Sequence, residues 1–160
     1  MLIRNASMED LDALAAAEAA AFPAAEAASR EALRARLAAW PDCFWLLFED
    51  GALASYVDGP ASNERELTDR MYEDAALHDP RGAWQMIFGV VTAEPYRGRG
   101  YAALLLRLAA AEARARGRQG VVLTCKERLV PFYARLGFRD EGVSVSSHGG
   151  AVWRGMRLRF

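Results

Sequence analysis

Cysteine is nearly absent: Cys43 and Cys125 are the only two in 160 residues. That is too few for a disulfide framework or a four-ligand zinc site, so a reduced cytoplasmic setting and no metal are expected. Histidine is as scarce, with His78 and His148 alone, both in or near turn-rich stretches where a solvated imidazole is the default. No run of about 18 apolar residues occurs, and Met1-Leu2-Ile3-Arg4-Asn5 has no long apolar segment with a cleavage site, so neither a membrane-spanning helix nor a leader is expected. Net charge is small, −1, and offers no general attraction to nucleic acid or to a membrane. Internal repeats are missing too.

What is present is ordinary globular composition, 52% hydrophobic and 26% charged. The length suits one domain, 1–160, able to bury roughly two thirds of its unfolded surface. Alanine takes 32 positions, and 19 arginines accompany a single lysine, a bias that hints at a GC-rich bacterial genome.

The stretch from Trp84 to Ala102 organises the chain. Trp84 to Val91 is a nearly continuous apolar run, as in a strand buried on both faces. Gly89 interrupts it, where a bulge or the close approach of a ligand is expected. After Pro95 the period changes to helical, with Leu104, Leu105, Leu108, Ala111 and Ala115 as the apolar stripe. The helix therefore starts close to Gly98 and Gly100. Its free N–H groups and positive dipole end suit an anion, and Arg97 and Arg99 add charge. An ordinary turn with two solvated arginines is the alternative, and the spacing is neither that of a P-loop nor that of a dinucleotide fingerprint.

Around this stretch, Leu2 to Arg4 reads as a strand and Ser7 to Asp10 as a capping box. A helix then runs toward Pro23, and a second begins after Ser29. Cys43 to Glu49 and Leu53 to Val57 read as a hairpin turning at Asp50-Gly51. Residues 58–83 are the least legible; helical composition from Glu64 to Leu77 reads slightly better as a surface excursion than as a lid. Val121 to Cys125 is the next strand, followed by a helix with Pro131 in its first turn and Leu129, Phe132, Tyr133 and Leu136 on one face. Two final strands, Phe138 to Val145 and Val152 to Phe160, close the chain. The order β-α-α-β-β-β-α-β-α-β-β calls for a mixed α/β sheet with helices on both faces. Arg107, Arg114, Arg116 and Arg118 read as a solvated helix face.

Arg97, Gly100 and Ala102 occupy the fixed places of Arg/Gln-x-x-Gly-x-Gly/Ala, which resembles the acetyl-CoA pyrophosphate loop of the GNAT superfamily of N-acetyltransferases. Leu123 to Phe138, with Leu-Val-Pro-Phe-Tyr and Gly-Phe, resembles the serotonin (arylalkylamine) N-acetyltransferases. The resemblance implies a single GNAT-fold domain, a monomer or homodimer, and direct acetyl transfer from acetyl-CoA to a small primary amine. The backbone of Gly89, Val90 and Val91 would meet the pantetheine arm, and the N–H groups of Arg97, Gly98, Arg99, Gly100, Tyr101 and Ala102 the pyrophosphate. Tyr133 would protonate the leaving thiolate, which a neutral phenol is able to do; taken alone it reads as a core aromatic. Other implied acceptors are a protein N-terminus or a polyamine, and a non-catalytic acyl-CoA-binding module is the remaining alternative.

That branch carries a His-x-His pair on its central strand, and the matching positions here are Gln85 and Ile87, neither of them a base. Water, Glu49, Glu94 or a partly neutral amine remain as routes for the proton. Phe22, Trp40, Phe44, Trp45, Tyr56 and Trp84 are the aromatics available to an aryl acceptor, though most such residues belong to the core.

Overall fold

A computed structural model describes all 160 residues. Strand β1 (Leu2–Asn5) leads through a turn in which the Asp10 carboxylate accepts from the Ser7 N–H at 2.8 Å into helix α1 (Leu11–Ala21). Helix α2 (Arg30–Ala39) begins where the Ser29 hydroxyl accepts the Ala32 N–H at 3.0 Å. Strands β2 (Phe44–Glu49) and β3 (Ala52–Asp58) form the expected hairpin, with Asp50 and Gly51 both at positive φ. The remaining elements are β4 (Ala61–Ser62), α3 (Asp69–Glu73), β5 (Trp84–Ile87), β6 (Gly89–Thr92), α4 (Tyr101–Ala115), β7 (Gly120–Cys125), α5 (Val130–Arg135), β8 (Arg139–Val143) and β9 (Arg154–Arg159).

Two sheets result, ordered β1-β2-β3-β6 and β4-β5-β7-β9-β8. Every pairing is antiparallel except β5 with β7, which α4 connects as a crossover. The run read as one strand from Trp84 to Val91 is two, because the chain leaves one sheet and enters the other at Phe88. The facing chain breaks at the same level, between β3 and β4. Close approach dictates glycine on both sides of this bend. A Cβ on Gly59 would stand 2.0 Å from the Met86 carbonyl oxygen, and one on Gly89 2.6 Å from an Asp58 carboxylate oxygen.

The main core lies between the sheets and α1, α2 and α4, and includes Leu14, Leu33, Trp40, Phe44, Trp45, Leu46 and Tyr56. On α4 the buried residues are Leu105, Leu106, Ala109 and Ala113, whereas Leu104, Ala111 and Ala115 are exposed. This corrects the expected stripe: a helix of Leu and Ala on several faces fits more than one phase, and the sheet beneath selects among them. Arg118 is likewise buried rather than solvated, donating to the carbonyls of Pro80 and Gly82 at 3.1 and 2.7 Å. Residues 58–83 are no mere surface excursion. Leu67 and Met71 form a small second core with Trp84, Met86 and Val122, and only Asp69–Glu73 of the expected helix is α-helical.

Candidate active site

The bend at Phe88 opens a cleft. Strand β5 pairs with β7, but β6 pairs only with β3, so the β6 edge beyond Gly89 is left without a strand neighbour. Ile87 at the end of β5, Phe88 at the bend and Gly89 and Val90 of β6 line the cleft, with Leu123 to Lys126 from β7 and its end, and Tyr133 from α5. Helix α1 and the loop after it contribute Glu18, Phe22 and Glu26, and the β8–β9 loop contributes His148 and Trp153. Val91 is buried outside this lining. An unpaired strand edge beside an apolar slot suits an extended amide-bearing arm, which is what pantetheine is.

Tyr133 is 6% exposed and packs edge-on to Phe132 and Phe138, at 5.0 and 5.9 Å. Burial pushes its pKa up, with the nearby Cys125 adding to the rise, and no hydrogen bond to another group offsets this. The hydroxyl is therefore a protonated donor with its bond unmade inside the cleft, which sets it apart from an ordinary core phenol.

The turn after β6 lies beyond the cleft. Gly98 and Gly100 sit at φ +79 and +80, and the first N–H tied into α4 is that of Leu104, donating to the Gly100 carbonyl at 3.0 Å. The N–H groups from Gly98 to Ala103 are left open, at the N-terminus of a fifteen-residue helix. Arg97 and Arg99 are exposed, their side chains bonded to the carbonyls of Thr92 and Pro95. Such a turn fits a pyrophosphate. The Tyr101 side chain points elsewhere, donating to Glu49 at 2.6 Å. Gly100→Ala adds a Cβ that meets nothing within 4 Å, so its effect is conformational, about 1–2 kcal/mol against the left-handed turn. Affinity for acyl-CoA is expected to fall several-fold by calorimetry; unchanged affinity would remove this turn from the binding site.

Other expectations are redistributed. Gln85 is buried outside the cleft and clips the bend, its amide donating to the carbonyls of Gly59, Pro60 and Met86 at 2.7, 3.2 and 2.9 Å. Ile87 does line the cleft; Glu49 and Glu94 do not. Two other carboxylates do: Glu26, paired with Lys126, and Glu18, 6% exposed, which accepts from the Tyr56 hydroxyl and, at 2.9 Å, from the Ala28 N–H. Its position was a readable signal, because Glu18 continues the Leu11, Leu14 series on the core face of α1.

Of the six aromatics considered for an acceptor, only Phe22 reaches the cleft; Trp40, Phe44, Trp45, Tyr56 and Trp84 are core. The aromatic wall is instead Phe88, Tyr72, His148 and Trp153. Tyr72 meets Phe88 and His148 at 4.4 Å each, and His148 meets Trp153 at 6.2 Å. His148 is thus no solvated imidazole: Nε2 bonds the Glu26 carbonyl at 2.8 Å, and the Trp153 indole donates to the His148 carbonyl at 2.9 Å. Nothing in the sequence signals this, since His148 lies 24 positions from Thr124, with which it lines the cleft. His78 is half-buried away from the cleft, accepting the Ala61 N–H at 3.0 Å, and burial lowers its pKa.

A sequence model of the acetyltransferase (GNAT) family matches residues 11–138. Among solved structures, the GphF GNAT-like decarboxylase in complex with isobutyryl-CoA is similar at 25% identity and TM-score 0.85, over 99% of both chains. The loading GNATL domain of CurA from Lyngbya majuscula matches at 14% identity and TM-score 0.85, over 99% of this chain and 96% of that one. A ribosomal-protein-alanine N-acetyltransferase from Brucella melitensis matches at 19% and 0.73, over 100% of both. The last two likenesses are of fold.

Proposed function

The chain belongs to the acetyltransferase (GNAT) family, and from that premise we propose that it transfers acetyl from acetyl-CoA directly to a primary amine, an arylalkylamine being the acceptor class favoured. The observation that carries this reading is the Tyr133 hydroxyl, protonated and unbonded within a cleft bounded by the free β6 edge. In this reading the backbone from Gly89 to Val91 binds the pantetheine arm, and the N–H groups from Arg97 to Ala102 hold the pyrophosphate. Glu18 accepts the proton of the acceptor ammonium. Nitrogen attacks the thioester carbonyl, the C–S bond breaks, and Tyr133 donates its proton to the departing thiolate. The ring of Tyr72 beside Phe88, roofed by His148 and Trp153, supports an aryl acceptor, with Glu18 as the only cleft carboxylate not engaged by a cationic side chain.

A second reading, decarboxylation of a carboxylated acyl-CoA, is favoured by the full-length likeness to a decarboxylase. There the C–C bond to the carboxylate breaks, CO₂ departs, and the carbanion conjugated with the thioester takes a proton. Thr124, Lys126 and His148, all on the cleft lining, are donors suited to the carboxylate and the carbonyl oxygen.

One assay separates the readings. Protein is incubated with acetyl-CoA and a panel of aromatic amines, polyamines and peptides while free thiol is followed, and separately with malonyl-CoA while CO₂ is followed. Thiol release stimulated by aromatic amines is the expected result. Stimulation by peptides or polyamines instead changes the acceptor, CO₂ release without an amine favours the second reading, and tight binding with neither product leaves a binding module.

A further inference from the structure

Behind the Phe88 bend lies a cluster of ionisable side chains that acetyl transfer, as described, uses only at its surface. Glu18 comes from α1, Arg36 from α2, and Tyr56 and Asp58 from β3; none is more than 6% exposed. Glu18 fronts the cleft and accepts from the Tyr56 hydroxyl. Tyr56 and Asp58, two residues apart on one strand, point to the same face. Asp58 sets one carboxylate oxygen against the Gly89 backbone, while the other has no hydrogen-bond donor and stands 3.7 Å from Arg36 Nη1. The Arg36 guanidinium lies 4.8 Å from the centre of the Phe88 ring and also donates to the Tyr72 carbonyl at 3.3 Å.

The cluster thus holds two carboxylates and one guanidinium, and the guanidinium pairs with Asp58 alone. With both ionised, a negative charge is left uncompensated in a water-excluded site, and taking up one proton relieves it. We propose that Asp58 is a positioning residue that shares one proton with Glu18 through this cluster, so that the Glu18 receiving the acceptor's proton works as half of a coupled pair. This rests on the reading of Glu18 as the proton acceptor. The N–H bond of the ammonium breaks, its electron pair stays on nitrogen, and the proton goes to a Glu18 oxygen and then to solvent through the cleft. The ionised Asp58 behind favours that arrival.

The groups facing Asp58 are Glu18 from α1, Arg36 from α2, the Tyr72 phenol from α3, Tyr56 on its own strand and the Gly89 N–H from β6. Burial raises Asp58 from 3.8 to about 7; Arg36 and the Gly89 N–H oppose the rise and the Glu18 charge adds to it.

The test is the pH profile of kcat, at saturating acetyl-CoA and the best amine of the panel, for wild type, Asp58→Asn, Tyr56→Phe and Glu18→Gln. Wild type is expected to show an acid limb. Asp58→Asn should move it down by about one pH unit or more, because a like charge is removed. Tyr56→Phe should move it up, because the carboxylate loses an O–H donor; it also serves where Asp58→Asn fails to fold. A limb unmoved in both variants overturns the proposal, whatever happens to the plateau rate.

Stability gives a readout independent of turnover. Unfolded, Asp58 loses its proton near 3.8; folded, near 7. The native state therefore binds more protons across that window, and the melting temperature of wild type should fall as pH rises from about 4 to about 7 more steeply than that of Asp58→Asn. Equal slopes count against the coupled pair. Glu18→Gln separates this proposal from the reading beneath it: wild-type kcat in that variant removes Glu18 as proton acceptor, whereas a large loss there with an unmoved limb in Asp58→Asn and Tyr56→Phe removes the coupling alone.

Discussion

Tyr133→Phe is expected to lower kcat by about 10²- to 10⁴-fold, the usual range for loss of a positioned general acid, with acyl-CoA affinity essentially unchanged. The substitution is clean because the hydroxyl makes no hydrogen bond within the chain, so no buried partner is orphaned. The ring contacts to Phe132 and Phe138 persist, and the melting temperature should move little. Since burial pushes the phenol's pKa up, its own ionisation contributes no alkaline limb near neutrality. Stopped-flow measurement of thiol release with calorimetry of acyl-CoA binding checks both halves. A wild-type kcat in the variant would remove Tyr133 from the mechanism, and a parallel loss of affinity would make it a binding residue instead.

Trp40→Ala is expected to destabilise the protein by about 3–5 kcal/mol, which for a chain of this size is roughly a 10 °C fall in melting temperature. Trp40 is 0% exposed and joins α2 to the start of β2, stacked on Phe44 at 5.2 Å and edge-on to Phe88 at 6.0 Å. Its indole N–H has no partner, so no hydrogen bond is lost with it. The removed volume sits behind Phe88, and Phe88 supports Tyr72 and through it His148. The variant should therefore also lose affinity for an aryl acceptor more than for acyl-CoA. Thermal unfolding and the KM of the amine measure the two effects; a loss below about 1 kcal/mol would show that the surrounding rings close over the gap.

Much of the proposed donor side can be read from the sequence because its residues are neighbours in the chain. The turn from Arg97 to Ala102, the glycine at the strand break and the Leu-Val-Pro-Phe-Tyr segment are each read within a dozen residues. Local rules govern positive φ, helix starts and proline in a first turn. The far wall of the cleft, the proposed acceptor side, was not legible. Tyr72, Thr124, His148 and Trp153 come from α3, β7 and the β8–β9 loop, and no periodicity links them. The phase of α4 was misread for a related reason, since apolar residues lie on more than one face and only the sheet decides which are covered.

Short-range sterics and hydrophobic period account for the mixed α/β order, the hairpin at Asp50-Gly51 and the anion-suited turn, whereas Tyr133 stood out as a candidate acid only through the family resemblance. Tertiary structure alone decided that the central strand is two, that Gln85 clips the bend rather than serving the cleft, and that Glu18, Tyr56, Asp58 and Arg36 share one buried volume. The physical reason is that charge pairing and burial depend on distance in space. Residues up to 40 positions apart in the chain come into one buried cluster only when the sheets splay at Phe88 and enclose them.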